Sequence, residues 1–458
     1  MYREFKMHGL DIIDEVERER FKAIQERICS VAAEFLKIRT ASGSLANSSV
    51  AHQNLFYPDS KSVKVKMKAK TPEVVITFLE YLRIRLAVSG KAEIEKLKEI
   101  KRRYYETRGQ PFDGRLYPWD YAFYNRQLTT KEYSIDMKKV GEYFEVSTTV
   151  QRMLSTFESL FGLRLQEIES KEFAWDESVK VYSAWYTSLS QYNSVLFVFQ
   201  ADLQQTMSVT AIQLRDAVPR VSDETEDLVD FLNMLIAIQR LGHAIHDLVS
   251  KPKYSRFHGT SVAVDFGEAP SQMLENWRWD PAFLTGLSQH YSYTSPEHLA
   301  LWKQSSQYDQ PPEQIPNDMV AGVVGSKYCS KPSFLLGQVL FAMFDIRIHL
   351  EDEGAIRKLG LTKDYNDMIE GIQMFDVSPD RVDWSSPFVL SSHLMEEYNA
   401  GYYSYLFSQV YPTDMFYSAF KGDLMNKDEG RRYRKVVLEK GWSQDEMKTL
   451  KEFLGREP

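Results

Sequence analysis

DFLNMLIAIQRLGHAIHDLVSKPKYSRFHGTSVAVDFGEAPSQMLENWR, residues 230–278, reads as helix, loop, helix. Leu232, Leu235, Ile236, Ile238, Leu241, Ile245 and Leu248 recur at roughly the helical period, so His243 and His246 fall on one helix, three apart and nearly on one face. A second helix, over 265–278, opens near Asp265 and carries Glu268. Its carboxylate comes 25 residues after His243, about the separation at which a second helix can return an acidic ligand to a histidine pair.

The rest of the chain reads as a scaffold of helices. Residues 8–41 form an amphipathic pattern, and a helix opens with Thr71 at the N-cap and Pro72 at the first helical position, running to about Val88. A charge-rich helix follows over 91–107, then a turn marked by Gly109, Pro111 and Gly114, a connection expected to plug Trp119 and Tyr121 into the core. Helices are expected over 131–145 and 149–164. Alternating β-branched and aromatic residues predict a strand from Val179 to Trp185. The first histidine helix spans 230–250. A polar loop from about Trp302 to Ser333 contains DQPPEQIP, which cannot be helical, and the helix over 334–350 is apolar almost all round and should be buried. The fold class is therefore mainly α, with at most a small residual sheet near 179–200.

At 458 residues the chain can bury a large core, and its 43% hydrophobic and 26% charged residues are those of a soluble globular protein. The net charge of −8 argues against nucleic acid as a partner. Only Cys29 and Cys329 are present, without zinc-knuckle or disulfide spacing, which fits a reducing compartment. The first twenty residues lack an apolar leader and no run approaches the length of a membrane span, so the expected setting is cytoplasmic, with no membrane partner.

LGHAIHDLVS followed by FHGTSVAVDFGEAPSQMLENW strongly resembles the M3 metallopeptidases, the thimet oligopeptidase group. RGQPFDGRLYPWDYAFY (108–124) and HLMEEYNAGYYSYLFSQVYPTDMF (393–416) are also similar to family stretches. The resemblance implies a helical clamshell, a zinc cofactor, short peptides as substrates and metalloendopeptidase activity. The family motif is HExGHxxH: two histidines one turn apart hold zinc, the glutamate between them is general base to the metal-bound water, and a distant glutamate completes the ligands.

Aligned on Gly242 and His243, this chain departs from the motif. Gln239 stands where the first histidine ligand belongs and Arg240 where the general base belongs, while His243 and Glu268 match the other two ligands. An amide oxygen is a poor zinc ligand beside an imidazole, and a guanidinium stays protonated and cannot act as base. By the same resemblance His246 and Asp265 take supporting places behind the ligands. In the C-terminal signature, His393, Tyr398, Tyr402 and Tyr405 match the residues that hydrogen-bond the tetrahedral oxyanion and the substrate backbone in the family. Glu396 and Glu397 replace a pair of family glycines there.

The resemblance fails between about Ser188 and Gln239 and returns at Leu241. It covers most of the chain, which in turn corresponds to roughly the latter two-thirds of a family member. The implied organisation is a helical upper-lobe remnant over 1–175, a divergent segment with short strands over 176–229 and a catalytic-type helical domain over 230–458. Three readings stay open: an M3 homologue impaired in hydrolysis, an active zinc oligopeptidase, and a peptide-binding pseudoenzyme or the product of a faulty gene model.

Overall fold

The computed structural model describes residues 72–133, 135–168, 179–187, 195–200, 211–213, 238, 241–350, 360–377, 386–394 and 398–458. In chain order the elements are α1 (Pro72–Glu106), α2 (Tyr121–Tyr133), α3 (Met137–Gly141), α4 (Val146–Phe161), β1 (Leu163–Ile168), β2 (Val179–Tyr186), β3 (Val195–Gln200) and β4 (Ala211–Gln213). There follow α5 (241–249), α6 (Val264–Gly267), α7 (Ala269–Leu274), α8 (Pro281–Leu287), α9 (Pro296–Ser305), α10 (Asn317–Gly325) and α11 (Lys331–Leu350). The chain closes with α12 (Leu361–Met368), α13 (Ser404–Phe407), α14 (Val410–Ala419), α15 (Lys427–Val436) and α16 (Glu446–Leu454). The fold is mainly α, as the periodicity implies. The helical pattern at 8–41, and Gln239, Arg240, Glu396 and Glu397, lie outside the described residues.

The described chain divides into two compact units, each built from two stretches of sequence: up to Leu128 with Ser330–Phe407, and Thr129–Cys329 with Ser408–Pro458.

In the first unit α1 runs along α11. The two helices expected over 72–88 and 91–107 are one, because Gly90 is a contact point and not a break: a Cβ there would sit 2.4 Å from Leu336 Cδ1. Close packing against α11 outweighs the modest helix cost of a glycine, about 1 kcal/mol. Among the described residues α11 is the one helix long and apolar enough to cross a membrane by length and composition, and more than half of its apolar window is buried inside the protein. The connection after α1 closes on Lys101, which is 3% exposed. Its ammonium pairs with Asp120 at 2.7 Å and faces the Tyr117 ring at 5.0 Å, the partners a buried cation requires. Trp119 does not plug into the core: it is 57% exposed and stacks on Tyr117 at 4.6 Å. Tyr121 packs edge-on against Phe375.

The second unit holds a continuous apolar core, into which α4 contributes Met153, Leu154, Phe157, Leu160 and Phe161, and α5 contributes Leu241, Ala244, Ile245, Leu248 and Val249. The expected helix at 131–145 is split between the end of α2 and α3, and that at 149–164 stops at Phe161. Gly162, at φ 65°, caps α4 in the left-handed region and turns the chain directly into β1. The strand expected from Val179 to Trp185 is β2. It is the second strand of a four-stranded sheet in the order β1-β2-β3-β4, in which β1–β2 and β2–β3 are antiparallel and β3–β4 parallel. Leu163 pairs with Tyr186, Val181 with Val198, and Val198 with Ala211. The sheet is thus larger than the single strand legible from alternation. The expected helix over 265–278 is two short helices, α6 and α7, followed by a 3-10 turn at Trp277–Trp279, and the polar loop of 302–333 contains α10.

Candidate functional site

The second unit brings the metal-type residues of the motif together by one close approach. Gly242 faces α7 so tightly that a Cβ would lie 2.5 Å from Ser271 Cα and 3.0 Å from the Pro270 carbonyl oxygen. With α5 and α7 in backbone contact, Glu268, which immediately precedes α7, is carried to His243. Glu268 is 2% exposed, and its Oε2 lies 3.2 Å from His243 Nε2. Ser271 Oγ, one turn on, donates within reach of both the Glu268 carbonyl (2.9 Å) and Oε2 (3.1 Å). Sequence reasoning missed Ser271; its place three residues after the glutamate on the same helical turn is the signal that was available.

The remaining motif residues fall into different roles. His246 is 1% exposed and sits in the core behind His243, where burial, with a smaller contribution from His243, pushes its imidazole down to about 3. It stays neutral and does not join the His243–Glu268 pair. Asp265 is buried at the start of α6 and receives Ser408 Oγ at its carbonyl, 2.9 Å. It is not hydrogen-bonded to His243 Nδ1, which is buried without a hydrogen-bond partner among the described residues. Asp247 and Ser250 fold the following loop back onto α5. Asp247 Oδ1 accepts from Thr260 N–H at 2.9 Å, Ser250 Oγ accepts from Gly259 N–H at 2.9 Å, and Gly259, at φ 47°, packs against Asp247 where no side chain fits. Burial raises the Asp247 carboxyl despite that amide.

Among the described residues the donor set does not fit a structural or catalytic zinc ion. The 3.2 Å between His243 Nε2 and Glu268 Oε2 is about the edge of a tetrahedron with ~2.0–2.2 Å metal bonds, so these two could share an ion. No third His, Cys, Asp or Glu joins them among the described residues. In sequence, an amide and a guanidinium, Gln239 and Arg240, stand four and three residues before His243. A ligating histidine also hands its second nitrogen to a hydrogen-bond partner, which His243 Nδ1 lacks among the described residues.

The first unit gathers the other four residues. The rings of His393, Tyr398, Tyr402 and Tyr405 form one cluster: His393 lies 5.5 Å from Tyr398, 5.7 Å from Tyr402 and 5.9 Å from Tyr405, and Tyr398 stacks on Tyr405 at 4.9 Å. Tyr402 packs edge-on against Phe341, 4.5 Å, and its hydroxyl donates to Gln338 Oε1 at 3.1 Å. Burial raises the Tyr402 phenol, so its proton stays in place as a hydrogen-bond donor.

The fold is mainly helical, one imidazole and one carboxylate meet across two adjoining helices, and a histidine-tyrosine cluster lies elsewhere in the chain. Residues 44–197 and 229–458 match the model for Peptidase family M3, and the chain belongs to that family. It is 29% identical over 421 residues to saccharolysin of Saccharomyces cerevisiae, covering 85% of this chain and 55% of the relative. To oligopeptidase PhomG' of Diaporthe leptostromiformis it is 30% identical over 88% of this chain and 34% of the relative, and to oligopeptidase A of Escherichia coli 24% identical over 87% and 57%. The chain thus spans about half the length of saccharolysin and oligopeptidase A. The unmatched interval, 198–228, is also narrower than the 188–239 read as divergent. Gln239 and Arg240 therefore sit inside matched sequence, with ten family-like residues before them.

Proposed function

We propose that this chain is a peptide-binding member of peptidase family M3 that does not hydrolyse peptides through a zinc-activated water. The observation that carries the reading is the pair Gln239–Arg240 within matched family sequence, beside a His243–Glu268 pair that gains no third donor among the described residues. A guanidinium within ~5 Å of a divalent cation would repel it by several kcal/mol at an effective dielectric of ~20. A substitution lying inside matched sequence also favours a changed protein over a misplaced gene-model boundary.

Short peptides are the ligand class, following the oligopeptidase names of the relatives. His393, Tyr398, Tyr402 and Tyr405 bind them: the phenol hydroxyls donate to peptide carbonyls and the stacked rings cover apolar side chains. Such contacts need no metal. A cytoplasmic setting accords with a chain of two cysteines.

The test is a paired measurement on one fluorogenic peptide series. Equilibrium binding is expected in the micromolar range, with no zinc-stimulated cleavage. Zinc-dependent hydrolysis by the unmodified protein, abolished by His243→Ala, overturns the proposal and assigns an active oligopeptidase.

A further inference from the structure

The tyrosine cluster sits on a loop that is held by a buried charge from another element. Asp345, in the last part of α11, is fully buried. Its Oδ1 accepts from Ala400 N–H at 2.9 Å and its Oδ2 from Tyr402 N–H at 3.0 Å. Ala400 adopts φ 54°, the left-handed conformation, which turns two nearby amides toward one point and makes an anion-binding nest. The nest is filled by the protein's own carboxylate. His349, one turn further along α11, brings Nδ1 to 2.9 Å from Asp345 Oδ1 and 2.8 Å from the Asp345 carbonyl, so that both members of the buried pair are partnered. Two turns earlier, Gln338 accepts the Tyr402 hydroxyl, and Phe341 contacts its ring. Residues 338, 341 and 345 lie on one helical face, so a single side of α11 grips Tyr402 by its backbone, ring and hydroxyl.

We propose that Asp345 is the positioning residue of the tyrosine loop: its carboxylate fixes the backbone from Ala400 to Tyr402 and thereby sets the affinity for peptide. The inference rests on the peptide-binding reading of that cluster. A left-handed alanine is uncommon and strained, so the loop persists only while something over-determines it. Two charge-assisted hydrogen bonds from the backbone amides to a desolvated carboxylate do so; they are among the stronger contacts available to a backbone amide.

The experiment combines amide hydrogen exchange with peptide binding on the full chain. In the unmodified protein the Ala400 and Tyr402 amides are expected to exchange as slowly as amides in the middle of α11; surface-like exchange there overturns the proposal without any variant. Asp345→Asn keeps the volume but presents an N–H₂ to a backbone donor. It is expected to speed exchange at 398–405 selectively and to weaken peptide binding about tenfold or more, in line with the loss of a charged hydrogen bond. Gln338→Leu is expected to leave amide protection intact and to weaken binding less. Unchanged affinity in Asp345→Asn, with the loop released and the unmodified protein binding normally, overturns the positioning role alone. Absence of peptide binding by the unmodified protein overturns the function proposed above, and the affinity role with it.

Discussion

His243 Nε2 lies 3.2 Å from Glu268 Oε2, and no third metal-type side chain joins the pair among the described residues. A two-donor remnant holds zinc weakly. Loss of a group that merely orients a ligand costs about 10–100-fold in metal affinity, and loss of a ligand costs more. Unmodified protein dialysed against a mild chelator is therefore expected to retain well under one zinc per chain by elemental analysis, and Gln239→His with Arg240→Glu to raise retention toward one. Stoichiometric zinc in the unmodified protein would refute the two-donor assignment.

The approach that creates this pair predicts a stability effect at Gly242. In an isolated helix glycine to alanine is favourable by about 1 kcal/mol. Here the new methyl would meet Ser271 Cα at 2.5 Å, a backbone atom that no rotamer change can move aside. Overpacking of this kind costs about 1–3 kcal/mol, so the clash wins and Gly242→Ala is expected to destabilise the chain in urea. A gain in stability would mean that α5 and α7 are not in backbone contact.

What the sequence made legible follows from how local each signal is. The convergence of His243 and Glu268 was readable because two short apolar-periodic segments flank a defined spacing. Strand β2 was readable from alternation. Strand β1, LRLQEI, was not, since Leu163, Leu165 and Ile168 extend the apolar pattern of α4 with no polar gap, and only the left-handed Gly162 separates the two. The continuity of α1 through Gly90 depends on Leu336, far along the chain, and no local propensity reports such a contact. Asp345 was invisible for the same reason. An acidic residue in an apolar helix has no sequence signature for its partners, which lie 55 and 57 residues later.

Buried His246 gives the protein an acid-sensitive term. Its imidazole is pushed from the ordinary 6.5 down to about 3, by burial first and by His243 second. The unfolded chain takes up a proton below about 6.5 while the folded chain does not, so the folded state loses stability as pH falls from 6.5 toward 3. The slope from this one group reaches at most about 1.4 kcal/mol per pH unit. His246→Phe, similar in size and without a titrating group, is expected to flatten the dependence between pH 7 and 5 relative to the unmodified protein, as read from urea midpoints. Parallel curves for the two proteins would show that His246 titrates alike in both states.

Restoring Gln239→His and Arg240→Glu together rebuilds the motif HELGHAIH on an otherwise unchanged chain. Each substitution alone is expected to be inert: Gln239→His leaves an arginine at the motif position of the base, and Arg240→Glu supplies a base with no third ligand to hold the ion. The pair supplies both. A positioned general base contributes about 10²–10⁴-fold to a rate, so hydrolysis of a fluorogenic peptide should rise from background to a zinc-dependent level only in the double variant, and fall back when His243→Ala is added. If the unmodified chain already binds the same peptides, the KM of the restored enzyme should lie near the Kd of the unmodified protein wherever chemistry is slow relative to dissociation. A double variant that retains zinc and binds peptide but stays inactive would place a second lesion outside the motif. The segment at 198–228, which the family model does not match, and the Glu396–Glu397 substitution are then the residues to revert next.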